Sequence, residues 1–363
     1  MYPFSFGGVK SPEDYRNIQL TDVLGYPTIL PDEYFVDIKN LPIWNQKKIG
    51  SCTGQAGGKY RQKQEEIETK TIIPFSPRWL YAMAKSEDGL SQEGTYPRLI
   101  MKIKQKYGCA TEATVPNNCD LSHEEYVYNR KKENIPALAF DEALKYKIKS
   151  YAEVGLSCEE LKQAIVKANG CMLLMRLGKE WWTDRNGNVS YKSEDLFPLR
   201  PPEQIISGHE VWLWGYKSIG DYTKFYILNS WGERWGNKGC GWFEYEMQKP
   251  FIVEALTAID LPNKILEEVH NLPKPAEFKH NFYRDIVRFE KSDEVKALQI
   301  ALKIDGCFPK TQSETGYYGE ITRVSVKKFQ QKYKVANWLE LKFVNGTRVG
   351  SKTRNKLNSL FNK

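Results

Sequence analysis

The chain has 363 residues, which is too long for one typical domain and long enough for two. Hydrophobic residues make up 41% and charged residues 27%, the proportions of an ordinary globular protein. No run of about 18 apolar residues occurs, so the sequence excludes a transmembrane helix. The net charge of +8 would suit a polyanionic partner, but a solvated lysine-rich surface explains it more simply, and we expect no nucleic-acid partner.

Helical patterns dominate the first half of the chain. Prolines interrupt residues 1–40, which we expect to be irregular. Ser76 followed by Pro77 is typical of a helix start, Ser157 begins a helix in a similar way, and Gly108 and Gly170 are typical stops. These signals predict four helices, over residues 52–68, 76–85, 96–107 and 157–169.

Strand patterns follow the helices. They cover residues 171–175, 210–216, 224–228 and 241–245. Because helices come first and strands second, the sequence predicts an α+β domain with two lobes. Residues 262–280 contain three prolines among mixed charges and are predicted to form a semi-stiff linker.

The number of cysteines is odd. Seven are present, as one catalytic thiol and three disulfides would require, but spacing alone does not establish such pairing. No two are spaced as zinc ligands usually are, and we expect no metal site. We favour mostly free thiols, because many of them fall inside predicted helices or strands. The cysteines are Cys52, Cys109, Cys119, Cys158, Cys171, Cys240 and Cys307.

Cys52 lies in the first turn of a predicted helix, directly after Gly50 and Ser51. The positive end of the helix dipole favours its thiolate, which is the nucleophilic form. Read alone, a cysteine in this position is more often structural.

Two later segments change that interpretation. His209 begins an apolar strand that ends in Gly215 and Tyr216. Asn229 follows another strand and opens a segment rich in tryptophan and glycine. An asparagine at a strand end can orient an imidazole ring by accepting its second N–H, and tryptophans can shield that hydrogen bond from water.

These segments resemble the papain family of cysteine peptidases in residue type, order and separation. They are Gln46 with Cys52 six residues later, His209 after a glycine, and Asn229 in an Asn-Ser-Trp-Gly element. The resemblance implies that Cys52 is the nucleophile, that His209 is its base and that Asn229 orients the imidazole. It also implies that Gln46 and the amide of Cys52 hold the oxyanion. No metal or organic cofactor is expected.

The resemblance further implies a set of substrate-binding residues. A Gly-Thr pair would bond the substrate backbone as an added strand, and the Tyr-Pro pair after it would wall an apolar pocket. Alternatively, the Tyr-Pro pair simply caps the following helix. A tryptophan would cover the His-Asn pair on the leaving-group side. The residues are Gly94, Thr95, Tyr96, Pro97, Gly208 and Trp231.

The sequence departs from the usual family pattern near the nucleophile. Ile49 stands where the family commonly has a cysteine that forms a disulfide, and Thr53 stands where it has tryptophan. This arrangement is nearer to a variant found in some bacterial papain-like peptidases.

The segment before the nucleophile is too short for the long helical propeptide of plant and lysosomal relatives. Residues 30–37 are similar to the usual start of the mature enzyme, so residues 1–29 are expected to form a short N-terminal extension. One hypothesis is that the extension lies across the cleft and restrains the enzyme. The other is that it packs on the back of the catalytic domain. Its aromatic residues, which could occupy subsites, are Tyr2, Phe4, Phe6 and Tyr15.

The last part of the chain resembles a peptidoglycan-binding domain of the kind appended to bacterial and phage hydrolases. Three short amphipathic helices are predicted there, with two related Gly-x-x-Thr halves. Thr322 and Thr353 lie near helix starts and are consistent with cap chemistry, so no ligand residue is assigned. A small bundle used for another protein contact is the alternative.

The sequence therefore predicts a two-lobed papain-like fold, with a helical lobe and an antiparallel β-barrel-like lobe, followed by a small three-helix domain. The expected domains are residues 30–261 for catalysis, 262–280 as linker and 281–363 for wall binding. The expected function is a cysteine endopeptidase that cuts protein substrates through an acyl-enzyme and is targeted to bacterial cell walls. The alternatives are a hydrolase of peptidoglycan stem peptides and a binding protein built on an inactive protease.

The N-terminal sequence lacks the basic and apolar regions of an ordinary secretory signal peptide. A location at the wall or outside the cell would then require release by lysis, on a phage particle or by another route.

Overall fold

The computed structural model describes residues 2–14, 17–25, 30–128, 134–259, 278–309, 312–335 and 344–362. The chain divides into two compact units. The first comprises Met1–Pro12 and Leu24–Leu261, and the second comprises Glu13–Val23 and Pro262–Lys363. Most of the predicted linker, and Tyr15 of the extension, lie outside the described residues.

Helices are concentrated in the first half of the catalytic unit, as the sequence predicted. A short helix earlier in the chain, α1 (Leu20–Leu24), belongs mostly to the second unit. The helices in the first half of the catalytic unit are α2 (Cys52–Thr69), α3 (Pro77–Lys85), α4 (Pro97–Lys106), α5 (His123–Tyr126) and α6 (Leu138–Ala143). The later helices are α7 (Cys158–Ala168), α8 (Ser193–Leu196) and α9 (Tyr245–Gln248). Single 3₁₀ turns cover Leu144–Tyr146, Lys179–Trp181 and Lys249–Phe251.

The predicted start and stop signals act as expected. The Ser76 hydroxyl accepts the Trp79 N–H at 3.0 Å, and the Ser157 hydroxyl accepts the Glu160 N–H at 3.2 Å. Gly108 ends α4 in a left-handed conformation with φ +80°. The four helices predicted by the sequence are therefore confirmed to within two residues at each end.

One antiparallel sheet forms the second lobe. Its order is β2-β7-β3-β4-β5-β6, with β1 paired to the far end of β4. The central strand β4 is long and pairs β3 with its first half and β5 with its second half. The strands are β1 (Glu33–Phe35), β2 (Ser150–Glu153), β3 (Cys171–Leu177), β4 (Ser207–Ile219), β5 (Tyr222–Leu228), β6 (Cys240–Glu244) and β7 (Ile252–Ile259).

The second unit has its own apolar core. Its helices are α10 (Asp293–Ile304), α11 (Glu320–Lys332) and α12 (Ser351–Phe361), with a two-stranded ladder of β8 (Ile286–Val287) and β9 (Arg348–Val349). Val295, Leu298, Leu302 and Phe329 are buried in this core, as expected for amphipathic helices. The small ladder was not predicted.

The two Gly-x-x-Thr halves of this unit are explained by a repeated hydrogen bond. Gln299 Nε2 donates to Thr322 Oγ1 at 2.8 Å, and Gln330 Nε2 donates to Thr353 Oγ1 at 3.2 Å. Both pairs are separated by 23 residues. These glutamines and threonines are buried and join successive helices, so they serve the fold of the unit.

All seven cysteines lie in described residues, and each is unpaired. No helix in the described part of the chain combines the length and apolar character needed to cross a bilayer.

Candidate active site

Three chain segments bring the predicted catalytic residues to one place. Cys52 is the first residue of α2, His209 lies near the start of β4, and Asn229 directly follows β5. His209 Nε2 and Asn229 Oδ1 are 2.7 Å apart in a buried hydrogen bond. The Trp231 ring lies over the imidazole with 4.7 Å between centroids. Because β4 and β5 are paired neighbours, the sheet itself fixes the distance between the histidine and the asparagine.

Cys52 is fully buried. Burial raises the pKa of the Cys52 thiol to about 12, although backbone N–H groups of Glu210, Thr53 and Gly7 act in the opposite direction. The helix start alone led us to expect a thiolate. In the covered site desolvation outweighs the dipole, so the thiol is neutral at physiological pH.

His209 is also held neutral. Burial lowers the pKa of His209 to about 4, and the hydrogen bond to Asn229 offsets this only partly. Within the described part of the chain, its buried Nδ1 has no hydrogen-bond partner. The covered site therefore contains a neutral thiol and a neutral imidazole with one ring nitrogen still free to exchange a proton.

Gln46 is fixed by the segment that carries Asn229. Its Oε1 accepts the Ser230 hydroxyl at 2.5 Å, and its backbone N–H donates to Ser230 O at 2.8 Å. The amide nitrogen Nε2 donates to Ile49 O at 2.9 Å and to Ser5 O at 3.2 Å. A carbonyl of the N-terminal extension thus occupies the donor that the sequence assigned to the oxyanion.

Lys59 is a site residue that sequence reasoning missed. It is fully buried in α2, and its ammonium donates to the carbonyl oxygen of Asn229 at 2.5 Å. Burial lowers the pKa of Lys59 to about 7. The sequence gives little indication of this contact, because Lys59 and Asn229 are 170 positions apart.

Residues 5–9 of the extension run through the site. Thr95 N–H donates to Gly7 O at 2.9 Å, and Val9 N–H donates to Thr95 O at 3.1 Å. On the opposite side, Gly8 N–H donates to Gly208 O at 3.1 Å. The extension is held between the helical lobe and the sheet as an added strand.

Two glycines allow this close approach. A Cβ on Gly7 would lie 1.9 Å from Gly50 O, and a Cβ on Gly208 would lie 2.2 Å from Gly8 O. Both distances are far below van der Waals contact, so a side chain at either position is incompatible with the observed path of the extension.

Aromatic contacts anchor the same segment. The Phe4 ring stacks on Trp231 at 4.3 Å with an interplanar angle of 4°. The Phe6 ring stacks on Trp182 at 5.5 Å and meets His209 edge-on at 6.3 Å. Of the two sequence-based alternatives, this arrangement corresponds to an extension across the cleft.

The other predicted substrate-binding residues differ in what they do. Gly94 makes no hydrogen bond to the described residues of the extension; its N–H donates to the Tyr81 hydroxyl at 2.8 Å. Tyr96 is the N-cap residue of α4, and Pro97 is the first helical residue. Thr95 is therefore the residue of this segment that bonds an added strand.

Two family models match the sequence. Residues 36–256 match "Papain family cysteine protease", and residues 291–336 match "Putative peptidoglycan binding domain". The first match spans more than half of the chain, and it includes all four of the predicted catalytic residues.

Solved structures share the fold of the catalytic unit. Xylellain, a cysteine protease from Xylella fastidiosa, matches with a TM-score of 0.59 and 20% identity over 72% of this chain and 97% of that chain. Digestive procathepsin L 3 of the Tenebrio molitor larval midgut matches with a TM-score of 0.50 and 14% identity over 68% of this chain and 76% of that chain. No curated protein matches the sequence.

Proposed function

Because the chain belongs to the papain family of cysteine proteases and carries a peptidoglycan-binding domain, we propose that it is an endopeptidase whose nucleophile is Cys52. The observation that carries the proposal is the buried His209–Asn229 hydrogen bond. The backbone N–H of Glu210, the residue after His209, hydrogen-bonds the Cys52 thiol, which supports a Cys52–His209 pair. These contacts support the assignment of Cys52 as nucleophile, His209 as base and Asn229 as orienting group.

In this mechanism His209 takes the proton of Cys52, and the thiolate attacks a peptide carbonyl carbon. The Gln46 amide and the Cys52 N–H hold the oxyanion that forms. His209 then donates its proton to the leaving amine, and the acyl-enzyme remains. Water, deprotonated by neutral His209, attacks the thioester and releases the acid and the free thiol.

Cys52→Ala tests this function, because it removes the sulfur atom that forms the acyl-enzyme. We expect loss of casein and peptide cleavage with an unchanged fold, measured by fluorogenic peptide assay and circular dichroism. Cys158→Ala is the control, since Cys158 is a half-buried cysteine of α7 outside the site. Cleavage by a pure Cys52→Ala preparation would contradict the proposal.

We further propose that residues 2–12 restrain the enzyme. Ser5 O accepts a hydrogen bond from Gln46 Nε2, and the backbone of Thr95 pairs with the extension. Burial under the extension keeps the Cys52 thiol neutral. A substrate needs the same donors, so it can bind only when the segment leaves. Removal of the segment re-exposes the thiol and the imidazole to solvent, which reverses the desolvation that suppresses their ionisation.

The C-terminal domain suggests delivery of the protease to peptidoglycan-bearing surfaces. Purified peptidoglycan should retain the full chain in a sedimentation assay, and zymography on casein beside peptidoglycan should clear only casein. Clearing of peptidoglycan would instead support a hydrolase of stem peptides.

A further inference from the structure

The bond between His209 and Asn229 depends on where the backbone of Asn229 lies. The sheet brings the two residues together, but the pairing of β5 with both neighbouring strands ends at Leu228. Asn229 is the next residue, so bonds outside the strand ladders must fix it. Misplacement of a catalytic group by about 1 Å costs roughly 10²-fold in rate, so those bonds bear directly on catalysis.

Two hydrogen bonds hold the backbone of Asn229. Its N–H donates to Gly239 O at 2.9 Å, and its carbonyl oxygen accepts the ammonium of Lys59 at 2.5 Å. The side-chain oxygen Oδ1 accepts the Ser230 N–H at 2.7 Å and lies 2.7 Å from His209 Nε2. With the backbone held on both sides, the side chain keeps only the rotations about its own bonds. The bond from Lys59 therefore restricts where Oδ1 can lie.

The donor belongs to the helix that carries the nucleophile. Lys59 lies in α2, seven residues after Cys52, which is about two helical turns. Residues with this spacing project from the same face of a helix. Lys59 and Asn229 are both completely buried. The lysine thus reaches from the catalytic helix to the backbone of the residue that orients the imidazole.

The charge of Lys59 does not explain its position. Burial lowers the pKa of His209 to about 4, and the positive charge of Lys59 acts in the same direction. The charge therefore opposes the imidazolium that the mechanism requires. A neutral amine still donates an N–H, so the bond to Asn229 O is available in either protonation state. The contribution of the lysine to the site is this bond.

A second buried lysine allows a comparison. Lys104 of α4 is also completely buried, and its ammonium lies 5.0 Å from the centre of the Tyr60 ring. Within the described part of the chain, its nitrogen has no hydrogen-bond partner. Burial lowers the pKa of Lys59 to about 7 and that of Lys104 to about 8. The two lysines thus share burial and differ in the bond to the site.

We propose that Lys59 is a positioning residue, which holds the backbone of Asn229 so that the Asn229 side chain orients His209. The proposal rests on the proposed function and adds to its site a residue that touches neither the substrate nor the reacting atoms. The effect of Lys59 on the rate then passes through the Asn229 side chain.

A double-mutant cycle on the full chain tests this route. Lys59→Met keeps an unbranched stem and removes the donor. We expect it to lower kcat for labelled casein about tenfold with KM within about twofold, because it removes no group that the mechanism assigns to substrate binding. In the Asn229→Ala background the same substitution should lower the rate less than about twofold, since the side chain that it positions is already absent.

Lys104→Met is the matched control, and it should change the rate by less than about twofold in either background. An effect of Lys59→Met on folding or on the fraction of open chains would appear in both backgrounds, so the cycle separates it from positioning. Lys59→Leu, with a shorter side chain, takes the place of Lys59→Met if that variant does not fold. If neither variant folds, the lysine serves the fold and the proposal is overturned.

A second readout does not depend on cleavage. The chain has four histidines, so a sample with isotope-labelled histidine gives a nuclear magnetic resonance spectrum with few ring N–H signals. The signal that Asn229→Ala removes is that of His209 Nε2–H. We expect its exchange with water to become about tenfold faster in Lys59→Met and to stay unchanged in Lys104→Met.

A further loss of about tenfold on adding Lys59→Met to Asn229→Ala would overturn the positioning role. An unchanged His209 signal in Lys59→Met would overturn it as well. If the unaltered chain neither cleaves casein nor is labelled at Cys52 by an epoxide, the proposed function fails. The His209 signal alone then decides whether Lys59 holds the pair.

Discussion

Hydrogen bonding of buried polar residues differs between the surroundings of Gln299 in the C-terminal unit and those of His209 in the catalytic cleft. In the C-terminal unit the amide of Gln299 is satisfied on both sides, by Thr322 and by the backbone around Gly316. In the catalytic cleft, His209 Nδ1 and Asn229 Nδ2 are buried and, among the described residues, have no hydrogen-bond partner.

The difference separates residues that hold a fold from residues that are kept for chemistry. A buried polar group normally has a partner, because leaving it unpaired is costly. The Gln299–Thr322 pair follows that rule and joins α10 to α11. The cleft residues break it, and the proposed mechanism accounts for His209 Nδ1, which must stay free to exchange a proton. Mutations in the catalytic cleft should therefore lower activity more than stability. Mutations around Gln299 should lower stability and leave activity unchanged.

Asn229→Ala should have the largest effect of the variants that probe this contrast. It removes the acceptor that orients His209, and misplacement of a catalytic group by about 1 Å costs roughly 10²-fold in rate. We expect a fall of that size in kcat/KM with little change in unfolding, because Lys59 still bonds the backbone carbonyl of residue 229. Steady-state kinetics and thermal unfolding measure the two quantities. Asn186→Ala, at an exposed loop position, is the control. A stability loss that accounts for the whole rate loss would argue against a catalytic role.

Gly7→Ala should open the cleft. Its Cβ would lie 1.9 Å from Gly50 O, and overpacking of this kind typically costs ~1–3 kcal/mol. The open fraction, and with it the rate of epoxide labelling of Cys52, should rise about tenfold. Lys10→Ala, at an exposed position of the same segment, should label as the unaltered chain does. Equal labelling of all three proteins would show that the extension does not control access to Cys52.

Much of this site could be predicted from the sequence. Cys52, His209 and Asn229 each lie in a short local motif at a helix start or a strand end, and such signals need no knowledge of the fold. The four main helices were found from caps and stops for the same reason. The sequence could not decide whether the extension crosses the cleft, because packing on the back of the domain is compatible with the same aromatic residues.

What the sequence could not supply depends on contacts between distant positions. Ser11 and Glu254 are 243 residues apart, and nothing in either neighbourhood announces their hydrogen bond. Strands β1 and β2 have three and four residues, too few for a periodic pattern.

Gln299→Leu should have the smallest effect of the three variants, and it should lower stability rather than activity. It removes the acceptor of the Gly316 N–H at 2.9 Å and the donor to Tyr317 O at 3.0 Å. At about 0.5 kcal/mol for each of these two hydrogen bonds, stability should fall by about 1 kcal/mol, so amide exchange in α10 and α11 should become about fivefold faster. Peptide cleavage should not change, because Gln299 bonds Thr322, Tyr317 and Gly316 of its own unit.

Hydrogen exchange with mass spectrometry on the full chain resolves the two helices, and a peptide assay on the same preparation gives the rate. Gln312→Leu, an exposed glutamine of the same unit, should alter neither. If Gln299→Leu slowed cleavage and left exchange unchanged, the division between structural and chemical polar residues would fail. The glutamine–threonine pairs would then have to be treated as part of the functional machinery, as the cleft residues are.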